Sequence, residues 1–238
     1  MKRVAVLVDG GFLLKRLPHL VERAECDDPD AVAKRITSLV SNHLDRINEV
    51  ECVPNKWALL YRTFYYDARP YAQRGHRPVS RTAFDYSKTA EFAFRTSLFE
   101  HLRKTPNVAV RLGEVRKSPD RSWTLRNAAQ DELLAGKRLV ADLTDADFAP
   151  ALHQKGVDMR FGVDMASLSL KHQADIIVLV TGDSDFVPAA KLARREGVRI
   201  VLDPLWQNVD PNLFEHIDSI YSGVPKHGTR TSLSGRPA

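Results

Sequence analysis

The chain has 238 residues, of which 43% are hydrophobic and 27% charged, a composition ordinary for a globular protein with a full core. No apolar run approaches the roughly 20 residues that span a bilayer, so the sequence predicts no membrane span. The start, MKRVAVLVDGG, resembles a signal peptide only briefly, because Asp9 interrupts the apolar stretch, and we expect a cytoplasmic protein. Two cysteines, Cys26 and Cys52, are too few for a disulfide framework and lack metal-ligand spacing, which favours ordinary reduced thiols.

The net charge is +5 and the isoelectric point is near 9.2. This modest excess of positive charge favours phosphate-rich partners, although many proteins that never bind nucleic acid share it. Charge alone therefore does not decide the function.

Strands and helices are predicted to alternate along the chain. The first strand, RVAVLV at 3–8, ends at a tight turn formed by Asp9, Gly10 and Gly11. The remaining elements, in chain order, are a helix at 29–48, a strand at 57–66, a helix at 87–102, a strand at 108–115, a helix at 157–171, a strand at 175–181, a helix at 186–196 and a strand at 198–202. Asp28 or Asp30 is expected to cap the first helix. This order predicts an α/β fold with an open, doubly wound parallel sheet of about five strands flanked by helices.

Three segments fit that plan poorly. Residues 67–86 are rich in Arg, Tyr and Pro and are expected to form a long loop. Residues 117–154 show weak periodicity, so we interpret them as an insertion before the fourth strand. The stretch 223–238 is rich in Gly, Ser, Pro and Arg, and we expect a disordered basic tail. The predicted organisation is one domain, 1–222, with the insertion inside it.

Acidic residues follow two of the predicted strands, where ligands of such sheets bind. Asp183 and Asp185 come directly after the apolar run DIIVLVT, and Gly182 lets the chain turn sharply between them and the strand. One of the pair is easily explained by a turn, and Asp185 could cap the helix that begins at Phe186. Two carboxylates so close together repel each other unless a cation offsets the charge, so the pair favours a metal site.

Asp9 is the same kind of residue at the end of the first strand. A turn in which its side chain bonds the backbone would also explain it. If the two strands are neighbours, however, the carboxylates of Asp9, Asp183 and Asp185 can share an ion. Mg²⁺ or Mn²⁺ is the expected cofactor, because hard cations prefer oxygen ligands.

Two further aspartates lie on the helix predicted from residue 157. Asp164 projects beside the apolar stripe of that helix, where a carboxylate is costly unless it is paired or ligates a metal. An ion pair with Lys155 or Arg160 is the alternative to a metal for Asp164. Asp158 lies in the first turn, where complementing the helix dipole is an equally good explanation.

Three motifs together resemble the NYN domain, in particular its LabA-like branch, which belongs with the PIN-like nucleases. They are VLVDGGFLL near the start, QKGVDMRFGVDM in the middle and VLVTGDSDFVPAAKLARREGVRIVL after it, and their order and spacing match the family. The resemblance covers roughly the first fifteen residues and 154–202. The sequence departs from the family pattern at Gly11, where many relatives carry an Asn that could help to order metal-bound water.

The resemblance implies a PIN-like fold and a metal-dependent ribonuclease. The residues that match the family's acidic positions, and are therefore the candidate catalytic residues, are Asp9, Asp158, Asp164, Asp183 and Asp185; four of them, Asp9, Asp164, Asp183 and Asp185, are the candidate metal ligands. Lys155 matches the lysine before the GVD motif and could contact phosphate or orient a carboxylate. The implied partner is RNA, with no membrane, and a homo-oligomer is compatible with the sequence.

Arg and Tyr residues alternate in a stretch that suits phosphate neutralisation and base stacking on single strands. Its members are Tyr65, Tyr66, Arg69, Tyr71, Arg74, Arg77 and Arg81, and the candidate substrate-binding residues among them are Arg69, Tyr71, Arg74 and Arg77. A solvated loop whose tyrosines pack onto the domain is an equal alternative. The basic residues Lys191, Arg194 and Arg195 are explained more simply as a charged helix face near a C-terminus.

The sequence leaves other functions open. An RNA-binding regulatory module could keep the acidic pocket and cleave weakly or not at all. A phosphatase that uses an Asp nucleophile would need a second Asp at Gly11, which argues against that class, and a nucleotide-sugar transferase should bind its donor. No Ser-His or Cys-His pair is evident, and the scattered histidines are expected at the surface: His19, His43, His76, His101, His153, His172, His216 and His227.

Overall fold

The computed structural model of the protein describes residues 1–226. In chain order the elements are β1 (Val4–Asp9), α1 (Gly10–Arg16), α2 (Arg23–Asp27), α3 (Pro29–Glu51), β2 (Leu60–Arg69), β3 (Arg74–His76), β4 (Ala83–Asp85), α4 (Ala90–Lys104), β5 (Val108–Lys117), β6 (Trp123–Leu125), α5 (Asn127–Leu134), β7 (Phe148–Pro150), β8 (Leu152–Lys155), α6 (Val157–Leu170), β9 (Ile176–Val180), α7 (Val187–Arg195), β10 (Arg199–Asp203), α8 (Pro211–Phe214) and β11 (Ser219–Ile220).

Seven strands form the main sheet, in the order β11-β10-β9-β1-β2-β5-β8. β1 pairs in parallel with β2 and β9, and β10 pairs in parallel with β9 and β11. β8 pairs antiparallel with β5, so the sheet is mixed. The predicted α/β class is confirmed, but the prediction of about five parallel strands is wrong. The two additional strands, β8 and β11, have four and two residues, too few to show a strand periodicity in the sequence.

Strands β1 and β9 lie at the centre of the sheet, and this position explains why their apolar runs are so clear in the sequence. Every residue of β9 is buried, and the first five residues of β1 are fully inaccessible. Strands covered on both faces read as continuous apolar runs rather than alternating ones. The apolar runs at 3–8 and 175–181 are therefore direct consequences of the central position of these strands.

The long helix α3 shows the expected local signals. Asp28 caps its start by accepting a hydrogen bond from the backbone N–H of Asp30, and Pro29 occupies the first turn. The helix ends at Cys52, whose φ of 51° is left-handed. Its buried residues recur at helical spacing: Val32, Ala33, Ile36, Leu39, Val40, His43 and Leu44. Both cysteines are free thiols, as predicted.

The chain forms two compact units. Unit 1 comprises Met1–Asp67, Ser97–Leu112 and the described part of Val157–Ala238, and unit 2 comprises Ala68–Thr96 and Gly113–Gly156. The two internal segments that fitted the predicted plan poorly, 67–86 and 117–154, lie almost wholly in unit 2. The prediction of a long loop at 67–86 is wrong, because β3 and β4 pair antiparallel there. The segment 117–154 contains the antiparallel pair β6–β7 and the helix α5.

Among the histidines of residues 1–226, one departs from the expected surface position, and His227 lies outside the described residues. His43 on α3 is buried, and its Nε2 lies 2.8 Å from Oδ2 of the buried Asp203. The same carboxylate oxygen accepts a hydrogen bond from the backbone N–H of Gly223, and Val224 is fully buried, so the fold of unit 1 includes these two residues. The tail predicted from 223 otherwise falls mostly on 227–238, outside the described residues. Among residues 1–226, no helix combines the length and apolar character needed to cross a membrane.

Candidate active site

The carboxyl ends of three neighbouring strands bring polar residues together in unit 1. Val8 of β1 is paired with Val180 of β9, so Asp9 and Thr181 are the next residues of the two strands. Asp9 is also in register with Tyr66 of β2, one residue before Asp67. The predicted proximity of the first and fourth strand ends is therefore present in the fold, and a third strand contributes as well.

Asp9 is held by two hydrogen bonds. Its Oδ1 accepts from the backbone N–H of Phe12 at 3.0 Å, which makes Asp9 the N-cap of α1, so a helix begins where a tight turn was predicted. Its Oδ2 lies 3.4 Å from the hydroxyl of Thr181. Burial raises the pKa of Asp9, the Phe12 N–H and the Thr181 hydroxyl lower it, and the negative charges of Asp158 and Asp67 raise it.

Thr181 connects the turns after β1 and β9. Besides its contact with Asp9, its hydroxyl oxygen accepts a hydrogen bond from the backbone N–H of Asp183 at 3.2 Å, and the residue is fully buried. A second connection is made by Phe12, whose ring packs against Gly182. A Cβ atom at Gly182 would lie 2.6 Å from Cε2 of Phe12, closer than real contacts allow. Glycine therefore permits this close approach of the two turns, and a larger residue would force the Phe12 ring to move.

Asp183 and Asp185 have different local roles. Oδ1 of Asp183 accepts a hydrogen bond from the backbone N–H of Asp185 at 2.9 Å and caps the 3₁₀ turn Ser184–Phe186. The prediction that Asp185 caps the following helix is wrong, because α7 begins at Val187 after Phe186, which makes no side-chain cap. The carboxylate of Asp185 is exposed and has no hydrogen-bond or ion-pair partner within residues 1–226. This carboxylate is therefore open to a ligand.

Asp158 lies in the first turn of α6. Partial desolvation raises the pKa of its carboxyl group, and the negative charges of Asp183 and Asp185 raise it further. A charge complementing the helix dipole alone would not show this repulsion. Electrostatic interactions therefore link the turns after β1 and β9 with the start of α6.

Asp164 is neutralised by the protein itself. The guanidinium group of Arg111 on β5 donates two hydrogen bonds of 2.9 Å, one to each carboxylate oxygen, and the Tyr66 hydroxyl donates a third at 3.0 Å. Burial raises the pKa of Tyr66, and the negative charge of Asp164 adds to the effect. The sequence correctly indicated that this carboxylate needed a partner, but the cation is Arg111 rather than Lys155 or Arg160.

The acidic residues fit a partly hydrated cation better than a closed cage. Within residues 1–226, no three Asp, Glu, His or Cys side chains lie close enough together to hold one ion. Mg²⁺ in proteins commonly binds one or two carboxylates and keeps several waters or substrate oxygens. The repulsion that Asp158 experiences from Asp183 and Asp185 is the kind that such an ion would offset. Asp158, Asp183, Asp185 and Asp9 are the residues that could hold it.

The residues predicted to bind substrate lie in unit 2, whereas the aspartates lie in unit 1. Arg69 and Lys155 are exposed. The Tyr71 ring packs edge-on against that of Tyr86, with centroids 5.0 Å apart. In the same unit, Arg74 forms an ion pair with Asp85 at 3.3 Å, and the Arg77 guanidinium lies 4.8 Å from the centroid of the Phe84 ring. Tyr65 and Tyr66 are fully buried, so their inclusion among substrate contacts is wrong.

Three residues of the site escaped the sequence reasoning. Asp67 is buried at the end of β2, and its Oδ2 lies 3.4 Å from the Tyr65 hydroxyl. It follows the strand predicted at 57–66 as Asp9 follows the first strand, but it was assigned to the loop predicted at 67–86, whereas β2 continues to Arg69. Thr181 was treated only as the last strand residue. Arg111 gives no local signal, since its partner Asp164 is 53 residues away.

The NYN domain family model matches residues 3–205. An uncharacterized protein of Methanocaldococcus jannaschii is 26% identical over 89 residues, which cover 36% of this chain and 37% of that relative, so the match spans little more than a third of the relative's length. A crystal structure of a protein of unknown function from Vibrio parahaemolyticus covers 93% of both chains with a TM-score of 0.40 and 11% identity. The match to the NYN domain family model extends over most of this chain, which therefore belongs to the NYN domain family, within the PIN-like nuclease superfamily.

Proposed function

We propose that this protein is a metal-dependent ribonuclease of the LabA-like branch of NYN domains. The observation that carries the proposal is the convergence of carboxylates from three separate chain segments in a NYN fold: the end of β1, the start of α6 and the turn after β9. Burial raises the pKa values of Asp9 and Asp158, and repulsion from neighbouring carboxylates adds to both shifts. Such clusters of perturbed acids are concentrated at functional sites.

The acidic residues would hold Mg²⁺ or Mn²⁺, with one or two of Asp158, Asp183 and Asp185 as direct ligands and water or substrate oxygens as the others. When bound, such an ion lowers the pKa of a water molecule and neutralises charge on phosphoryl oxygens. Thr181 orients Asp9 and the backbone of Asp183 through its hydroxyl. The buried Asp9 carboxylate, with its raised pKa, is suited to accept a proton from the attacking water.

Asp164 has a positioning role in this proposal. Its bidentate ion pair with Arg111 fixes the outer face of α6 against β5 and the Tyr66 hydroxyl, so that Asp158 is held at the start of the helix. A guanidinium group also binds phosphate bidentately, which makes Arg111 a candidate substrate contact as well.

The substrate is proposed to be single-stranded or structured RNA. In unit 2 the exposed Arg74, the half-buried Arg77 beside the Phe84 ring and the half-buried Tyr71 suit phosphate neutralisation and base stacking. Lys155 and Arg69 are exposed and available for further phosphate contacts. These assignments support RNA binding without specifying a sequence.

The test is a cleavage assay with end-labelled single- and double-stranded RNA and DNA, in Mg²⁺, Mn²⁺ or EDTA. Wild-type protein should cleave RNA only with metal, and Asp185→Asn or Asp158→Asn should reduce the rate at least about 100-fold, as expected when a charge that stabilises the transition state is lost. Asp131→Asn in α5 removes an exposed acid of unit 2 and serves as the matched control. Cleavage that survives both EDTA and the Asp185 substitution would refute the mechanism.

The second candidate function is an RNA-binding regulatory module that cleaves weakly or not at all. It is favoured by the engagement of Asp164 with Arg111 and by the absence of a three-residue ligand group among residues 1–226. Gly11, where many relatives carry Asn, points the same way. RNA binding of equal affinity in EDTA and Mg²⁺, without cleavage in any metal, would establish this function instead.

A further inference from the structure

A second charged feature lies in unit 1, away from the aspartates. Helix α7 and the turn that follows α8 line an open cavity of about 600 Å³, formed by Pro188, Lys191, Arg194, Arg195 and His216. Every polar side chain in this lining is basic. No carboxylate lines the cavity, and the cations whose charge is not offset from outside the lining attract anions.

The cations of this basic cavity are not all used by the fold. Arg194 is engaged: its guanidinium donates to the backbone carbonyl of Glu215 at 3.0 Å and forms an ion pair with Asp218 at 3.1 Å. Lys191 and Arg195 are exposed and have no acidic partner within residues 1–226. Arg194 thus anchors the cavity wall and leaves two unpaired cations.

Stabilisation of the α7 dipole explains only part of this arrangement. Basic residues in the last turn of a helix are favourable, which accounts for Arg194 and Arg195. Lys191 lies a turn earlier, where the effect has faded, and His216 comes from a different element. Convergence of side chains from two elements on one cavity indicates a ligand.

We infer that the basic cavity binds the phosphate backbone of the RNA strand whose scissile phosphate lies at the acidic site; this inference rests on the proposed function. α7 begins two residues after Asp185 and leads from the acidic turn toward the cavity. At 1.5 Å per residue, Lys191 lies about 9 Å and Arg195 about 15 Å from Asp185 along the helix. At about 3.4 Å per stacked nucleotide, the contacted phosphates are roughly three to four nucleotides from the scissile one.

The test measures binding of a fluorescein-labelled 12-nucleotide RNA by anisotropy in EDTA, so that no cleavage occurs, over a series of salt concentrations. For single strands the slope of log K against log salt is about 0.7 per neutralised phosphate. Lys191→Ala/Arg195→Ala should therefore lower the slope by about 1.4 and weaken binding about tenfold at low salt, equally for all sequences. The matched control is Lys104→Ala/Lys171→Ala, which removes two exposed cations of unit 1 outside the cavity and should leave the slope unchanged.

Oligonucleotide length adds a geometric criterion. A tetranucleotide is too short to reach from the acidic site to the cavity, so Lys191→Ala/Arg195→Ala should bind it as wild type does. The loss of affinity in this variant should appear with oligonucleotides of about eight nucleotides. Both variants alter exposed side chains, and thermal melting checks that they fold. The inference is overturned if Lys191→Ala/Arg195→Ala leaves the salt slope unchanged. It is also overturned if the control variant loses as much RNA affinity as the cavity variant.

Two further outcomes separate this inference from the proposed function. If the slope falls as expected but no metal supports cleavage, the phosphate contact stands and the nuclease proposal fails. In the other outcome, cleavage is normal, and inorganic phosphate or a mononucleotide raises the Tm of the protein whereas RNA does not. If this rise in Tm is lost in Lys191→Ala/Arg195→Ala, the cavity binds a small anion and the inference is refuted.

Discussion

The ion pair between Arg111 and Asp164 offers the sharpest test of how the acidic region is built. Arg111→Met removes the guanidinium group but keeps an unbranched side chain close to the Phe64 ring, over which the Arg111 guanidinium lies at 5.8 Å. The substitution leaves the Asp164 carboxylate with only the Tyr66 hydroxyl as a donor among its observed partners. The expected result is a less stable protein at neutral pH.

The magnitude follows from the exposure of the two side chains. Asp164 is 18% exposed and Arg111 is 46% exposed. Fully exposed pairs contribute about 0–1 kcal/mol, and breaking a fully buried pair costs about 3–5 kcal/mol. For this intermediate pair we expect a loss of about 1–2 kcal/mol, which corresponds to a decrease in Tm of roughly 2–8 °C for a chain of this size.

The assay is urea unfolding of wild type, Arg111→Met, Asp164→Asn and the double variant. Asparagine at 164 still accepts the Tyr66 hydrogen bond, so the cycle isolates the ion pair. A coupling free energy of about 1 kcal/mol or more is expected. Arg116→Met is the comparison, because its pair with Glu114 is exposed on both sides and should contribute little. A coupling below about 0.5 kcal/mol, the limit of simple additivity, would refute the reasoning.

The same variants separate two roles of Asp164. If the carboxylate only anchors α6, then Arg111→Met lowers stability without raising metal affinity. If Asp164 is a metal ligand, as the sequence predicted, removing its competitor should tighten Mg²⁺ binding, which isothermal titration measures directly.

Two more predictions concern the acidic turns. Asp158→Asn should raise Tm at pH 7 without metal, because folding raises the pKa of the Asp158 carboxyl group and its contribution to stability is lost as pH rises through the folded-state pKa. The gain in Tm should vanish below pH 3.8, the ordinary pKa, where the carboxyl group is protonated in both the folded and the unfolded protein. An unchanged or lower Tm at pH 7 contradicts this prediction. Gly182→Ala should displace the Phe12 ring, cost about 1–3 kcal/mol and reduce cleavage, since the new Cβ would lie 2.6 Å from it. Gly162→Ala in α6, where the added Cβ meets nothing within 4 Å, should instead stabilise the protein by about 0.5–1 kcal/mol.

The sequence predicted those elements whose signals are local. The buried runs of β1 and β9 and the helical spacing of α3 and α6 identified these elements to within a few residues. The pair β3–β4 could not be found in this way, because strands of three residues have no periodicity. Its stabilising contacts come from afar, since the Trp123 ring packs near those of Phe84 and Tyr86.

The same distinction between local and distant partners applies to the acidic residues. A carboxylate beside an apolar stripe needs a partner, and this reasoning was sufficient to single out Asp164. It could not identify the partner, because Arg111 reaches Asp164 only once β5 and α6 are packed. Nearby Lys155 and Arg160 were the natural candidates by spacing, but spacing along the chain does not determine proximity between elements.

The origin of the neutralising charge therefore divides the acidic residues into two groups. Asp164 has a cation of the protein at 2.9 Å on both oxygens and needs none from solution. Burial and the negative charges of Asp183 and Asp185 raise the pKa of Asp158, and the exposed Asp185 has no hydrogen-bond or ion-pair partner among residues 1–226. The uncompensated negative charge thus lies between the start of α6 and the turn after β9, and a cation from solution should bind there, with Asp9 at its buried side.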